Sequence, residues 1–225
     1  MERTKKILLY LLAGILGGCV PVMSFHPLYT ENDLVFDEKL LGSWVDDSNK
    51  NMLEFSKSEK SEKTYQVIYV VTEGDGKGKG IFDAHLVKLE GKLFLDVFPN
   101  QLPCGELEDP NQTKWFYNAF FTIPVHTFAK VDSIEPQLKL RLSDNETMEK
   151  FLEKDPNAVG HEMLEESAVL TARTKELQKF AVKYADGKEF FSKELVLKRV
   201  TGKKSEEAAK KIAEPNKTSQ KKSVK

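Results

Sequence analysis

The chain has 225 residues, with 34 Lys+Arg against 35 Asp+Glu, and 40% of its residues are apolar. That apolar share suffices for one folded core of ordinary size or two small ones, and it excludes collagen, a wholly disordered chain and a polytopic membrane protein. Two cysteines exclude a disulfide scaffold, and a net charge of −1 argues against a dedicated nucleic-acid binder.

The charge is unevenly spread. Residues 1–18 carry +2, from Arg3, Lys5 and Lys6 against Glu2. Residues 201–225 carry +5, from eight lysines against three glutamates. The remaining 23 basic and 31 acidic residues give the middle, 19–200, a charge of −8.

The amino terminus has a charged start followed by the apolar run Ile7–Gly18. This is the architecture of a signal peptide, and the run is short for a spanning helix, which needs about 20 apolar residues. An uncleaved membrane helix is the alternative, since no charge follows until Glu31. Gly17, Gly18 and Pro21 would interrupt that helix. Leu16-Gly17-Gly18-Cys19 resembles the bacterial lipobox, in which a branched residue and two small ones precede a lipidated cysteine. The resemblance implies peptidase recognition through Leu16, Gly17 and Gly18, cleavage before Cys19, and acylation of the Cys19 sulfur and new amine. Two or more acyl chains anchor a protein stably in a membrane. Val20 stands where Asp would mark inner-membrane retention under the Gram-negative sorting rule, which leans toward the periplasmic face of the outer membrane. Cys104, in Leu102-Pro103-Cys104-Gly105, then has no internal disulfide partner, and burial is the expectation for it.

Residues 19–36 read as a lipidated tether, within which Phe25-His-Pro-Leu-Tyr-Thr carries enough apolar bulk to dock. From residue 37 to 200 the pattern is one of short strands. These are Leu40–Val45, Asn51–Lys57, Thr64–Thr72, Ile81–Leu89, Lys92–Phe98, Thr122–Asp132, Gln137–Ser143 and Lys193–Val200. Glu73–Gly80 reads as a turn, and Glu90-Gly91 as a two-residue hairpin connection. The Ile81–Leu89 strand places Phe82, Ala84 and Leu86 on one face and Asp83, His85 and Val87 on the other. Its partner places Leu93, Leu95 and Val97 opposite Phe94, Asp96 and Phe98. Between the last two strands, Asp144 or Asn145 can cap a helix with the apolar face Met148, Phe151 and Leu152. Thr174 can cap a second, with the stripe Leu177, Phe180, Ala181 and Tyr184 and with Gly187 near its end. Ala168–Thr171 reads as a short extended strand. The fold class expected is mainly β, an antiparallel up-and-down barrel of about eight strands with two short helices and a disordered basic tail at 201–225.

Leu41-Gly42-Ser43-Trp44 resembles the Gly-x-Trp of lipocalins, which stands near the start of the first strand. The resemblance implies that Trp44 closes the barrel base and that an arginine from the last strand packs on it, a part Arg199 can fill. The long stretch 100–120 and the helical region near 145–160 depart from that family, and its disulfide is missing. The chain as a whole resembles a bacterial lipoprotein carrying a lipocalin-like domain.

The chemistry-bearing residues give little. His26, His85, His126 and His161 show no local metal-ligand spacing, and there is no phosphate-binding loop, dinucleotide fingerprint or nucleophile elbow. No catalytic residue, cofactor or metal is expected. His85 and His126 read as structural or pocket-lining. Asp83 and Asp96 could oppose one another as inward carboxylates, against the plainer reading of a solvent-facing pair. The leading expectation is an envelope lipoprotein binding or shielding a small amphiphile in a cavity lined by Tyr65, Phe82, Phe94, His126 and Phe128. The alternative is a structural or assembly lipoprotein with a filled barrel, meeting a protein partner through a patch such as 115–121. The partners expected are thus the membrane and a small hydrophobic ligand or envelope protein, with no nucleic acid. The tail lysines are either solubilising or drawn to anionic headgroups.

Overall fold

Strands form where β-branched and aromatic residues alternate with polar ones, and they pair across the turns the sequence marks. The structure is a computed structural model, and it describes residues 21–48, 50–71, 78–100, 123–164 and 167–200. The lipobox, Cys104, residues 115–121 and the basic tail therefore lie outside the described residues.

Twelve strands form one sheet system. They are β1 (Met23–Ser24), β2 (Leu34–Val35), β3 (Gly42–Val45), β4 (Asn51–Lys57), β5 (Thr64–Val71), β6 (Gly78–Leu89), β7 (Lys92–Pro99), β8 (His126–Ser133), β9 (Gln137–Leu142), β10 (His161–Leu164), β11 (Ser167–Leu170) and β12 (Lys193–Arg199). Two helices, α1 (Asn145–Lys154) and α2 (Thr174–Tyr184), fall between β9 and β12. Each strand from β3 to β9 pairs antiparallel with the next, β9 pairs with β12, and β12 pairs with β3. The result is a closed eight-stranded antiparallel barrel, as the strand pattern implied. Closure leaves these eight strands with no long open edge.

The hairpin between β6 and β7 turns at Glu90 and Gly91, with φ of 47° and 80°. Both residues are left-handed, the geometry that matches the twist of the flanking strands in a two-residue turn. Alternation along the strands then separates two large cores from a small cluster of Met52 and Val70. Trp44, Phe55, Tyr65, Leu86, Leu95, Leu138 and Leu197 pack inside the barrel. Val87, Leu89, Phe94 and Phe128 point outward and pack against Met148, Phe151 and Leu152 of α1, Leu177, Phe180 and Ala181 of α2, and Phe190 and Phe191. Rings of Phe151, Phe180, Tyr184, Phe190 and Phe191 stand 4.8–5.8 Å apart, largely edge to face. The helices thus exist to cover one outer wall, and their amphipathic stripes face it.

The first helix is capped as expected, and the second differs from the sequence expectation at both ends. Asp144 caps α1, accepting from the Thr147 backbone N–H at 2.9 Å. For α2 the flanking residue is Arg173, with Thr174 already inside the helix. That helix ends at Ala185 in right-handed geometry, so Gly187 plays no left-handed capping part.

The segment expected as a tether is woven into the fold from Pro21 onward. β1 pairs antiparallel with the start of β8 and parallel with β11, which extends the barrel wall through β10. β2 pairs with β6 at Val87 and Leu86, beyond the point where β5 stops. A single 3-10 turn, Glu38–Leu40, then replaces the start of the first expected strand and seals the base. Val22, Leu28, Leu34 and Leu40 are all buried. At roughly 2 kcal/mol per buried aliphatic side chain, this strap is a structural part of the domain.

Candidate functional site

The base of the barrel is closed by Trp44, which is wholly buried and donates from its indole N–H to the Leu40 carbonyl at 2.9 Å. The Arg199 guanidinium lies over the Trp44 ring, 4.2 Å from its centroid. It also donates to the Leu41 carbonyl at 2.6 Å and to the Lys39 carbonyl. Gly42 sits between them at φ 108°, where a Cβ would stand 3.1 Å from Arg199 Nη1. This trio is one packed unit.

The residues expected to line a ligand cavity are not brought together. Tyr65 is inside the barrel, stacked on Phe36 with ring centroids 4.5 Å apart. Its hydroxyl accepts from the Asp37 N–H at 2.7 Å and donates to the Asp37 carbonyl at 3.1 Å, so its polar end is already used by the strap. Burial pushes the phenol up to about 12. Phe82 packs beside this inner core. Phe94 and Phe128 lie on the other side of the wall, in the core under the helices. A strand alternates its side chains, so no lumen can be lined by neighbours of opposite parity. A cleft of about 530 Å³ does open on the surface, lined by Phe36 and the turn Lys57–Glu62. It lies outside the barrel, with Lys57 Nζ 5.4 Å from the Phe36 ring centroid.

His126 belongs to a polar cluster on the outer wall. Asp96 is 0% exposed, and its two carboxyl oxygens accept from His126 Nδ1 at 2.7 Å and from the Leu28 backbone N–H at 2.8 Å. With Asp96 as the acceptor, the proton of this bond sits on His126 Nδ1. Among the described residues Nε2 has no hydrogen-bond partner. His85 stands directly opposite Asp96 on the paired strand. Its Nε2 is 3.1 Å from Thr64 Oγ1 and 3.5 Å from the Tyr29 hydroxyl, and its ring lies 4.3 Å from that of Tyr29. Phe98 covers His126 with centroids 4.4 Å apart. Burial pulls the His85 pKa down despite Asp96 and Asp83, which pull it up, and this favours the neutral imidazole. Burial, with Asp96 second, raises the Tyr29 phenol to about 12. Asp83 lies on the same outer wall, bound by Lys60 at 2.7 Å and by Asn100 at 2.8 Å, so the two aspartates do not flank a lumen.

A carboxyl group orienting a histidine is half of a nucleophilic triad. Among the described residues no serine, cysteine or lysine is hydrogen-bonded to His126. What Asp96 does do is clamp the strap, since it is the acceptor for Leu28. Gln178 of α2 completes the clamp by donating to the Leu28 carbonyl at 3.0 Å and to Asp33 at 2.8 Å. Sequence alternation allowed Asp83 and Asp96 to oppose one another, but it did not pair Asp96 with His85. It did not signal the partner, because Leu28 lies 68 residues away in a segment with no strand pattern.

Among the described residues no group of three or more His, Cys, Asp or Glu could hold a metal ion, and no helix is long and apolar enough to cross a membrane. Comparison of the chain with protein-family models, with curated proteins and with solved structures returned no match.

Proposed function

We propose that this chain is a lipid-anchored lipoprotein of a bacterial envelope, on the periplasmic face of the outer membrane, whose β-barrel works through its outer surface as a structural or assembly module. The observation behind this choice is the barrel interior, which holds the protein's own Trp44, Phe55, Tyr65, Leu86 and Leu138. A small barrel filled this way is a rigid platform. The anchor is Cys19, acylated after cleavage behind Leu16-Gly17-Gly18. Native mass spectrometry of the full acylated protein, after detergent exchange, tests the choice. The expected spectrum holds the polypeptide and its own acyl groups alone. A stoichiometric copurified amphiphile would overturn it.

A second reading, retention of a small amphiphile, is favoured by the cleft at Phe36. Its aromatic floor could take an apolar chain, and Lys57 and Lys60, beside Glu59 and Glu62, could meet a polar headgroup. If it holds, Lys60→Glu should weaken retention of a fluorescent fatty acid at least tenfold, measured by fluorescence titration. Undiminished retention in that variant would remove the cleft from consideration.

A further inference from the structure

Acylation at Cys19 would constrain how the protein sits, because of where the fold begins. Cys19 precedes Pro21 by two residues, a reach of at most about 7 Å. Pro21 is already fixed, in a β-bridge to Asp144, and the Val22 N–H donates to the Ser143 carbonyl at 3.1 Å. Beyond it, Val22 and Leu28 are buried and Leu28 is clamped on Asp96. The leash therefore cannot lengthen without undoing the strap.

Resting on that proposed anchor, we propose that the rim carrying Pro21, the start of α1 and Lys193 lies against the phospholipid headgroups of the anchoring membrane. The barrel would then stand with its Trp44–Arg199 base pointing away. The rim has the chemistry for this. Lys193 reaches the buried Asp144 at 3.1 Å and Lys150 reaches Glu146 at 2.6 Å, so cations and anions lie side by side, with Lys193, Lys150 and Glu146 open to solvent. Such a mixed surface complements a zwitterionic headgroup, with its ammonium and phosphate, and has no requirement for anionic lipid. The opposite end follows from β12, which runs from Lys193 at the rim to Arg199 at the base. Six residues at about 3.3 Å each separate the two by about 20 Å along the strand. The +5 segment, residues 201–225, thus follows the end of β12 that lies at the base.

The test uses full-length acylated protein in vesicles of phosphatidylethanolamine and phosphatidylcholine doped with a nickel-chelating lipid. In a Cys104→Ala background, a nitroxide is placed at the rim by Glu146→Cys or at the base turn by Glu62→Cys. Headgroup-bound nickel should relax the rim label at least fivefold more than the base label, with or without anionic lipid. Inserting twenty Gly/Ser residues between Val20 and Pro21 should abolish the difference while the protein still floats with vesicles. Equal relaxation at the two labels of the native-length protein would overturn the docking, as would a difference that survives the insertion. Failure of the anchor itself would look different: Cys19→Ser would float as well as the native protein.

Discussion

Asp96 decides more at one position than any other residue of the domain. It is wholly buried, and it accepts from a side chain and from a backbone amide of a distant segment. Asp96→Ala would leave both donors unpaired in a dry site, at a cost of about 3 kcal/mol, while Asp96→Asn, which keeps one acceptor, would cost about half as much. Urea unfolding checks this, and a loss under 1 kcal/mol for the alanine variant would contradict the clamp. Two phenols give a pH dependence. Tyr29 and Tyr65 are pushed up to about 12 by burial, against about 10 in an unfolded chain. The folded state favours the protonated phenol, so this stabilisation is complete below pH 10 and is lost as pH rises toward 12. The urea midpoint should fall across that window, and Tyr29→Phe should blunt the fall. At the acid end, burial raises Asp144, but hydrogen bonds from Thr147 and Lys193 outweigh it and hold its carboxyl near 2. Its stabilisation is present above about pH 4 and disappears as pH falls through 2. At this scale the sequence was partly legible: alternation allowed Asp83 and Asp96 to oppose one another, but only the folded strap supplies the burial that gives Asp96 its role.

Among the elements, β4 to β7, β9 and β12 lie within three residues of where alternation and turn residues placed them, because each needs only its immediate neighbours to declare its faces. The two helices were legible for the same reason, through the 3.6-residue period of their apolar stripes. The short strands β1 and β2 were not. Two residues carry no period, and these segments become strands only because β8 and β6 offer unpaired edges. The base is the element most sensitive to one atom. Gly42→Ala would place a side chain at φ 108° and 3.1 Å from Arg199 Nη1, costing about 2 kcal/mol and loosening the Trp44 contact. Gly91→Ala is the control, with a positive φ but nothing within 4 Å, and should cost about 1 kcal/mol. Thermal unfolding of the pair checks this, and equal losses would mean that the Arg199 contact is immaterial. Under the helices, Phe151 meets Phe180, Tyr184 and Phe190 at 4.8–5.8 Å. Phe151→Ala should cost about 4 kcal/mol, which calorimetry of the two proteins would show.

For the whole molecule, composition left open one ordinary core or two small ones, and the structure has two large cores sharing one wall. The candidate ligand residues divide accordingly: Tyr65 and Phe82 stand on the inner side, Phe94 and Phe128 on the outer. Composition alone could not say on which side of the wall each phenylalanine would fall. The charge partition has a matching geometry. The acidic domain takes the strap in at Pro21 and releases the basic segment after Arg199, at the two ends of β12. The account depends most on the chemistry at Cys19, and intact-mass analysis of the protein extracted from membranes of a bacterium producing the full chain tests it most directly. The expected polypeptide begins at Cys19 and carries the added mass of a diacylglyceryl group on its sulfur. A protein that retains residues 1–18, or that begins at Cys19 without acyl mass, would contradict it.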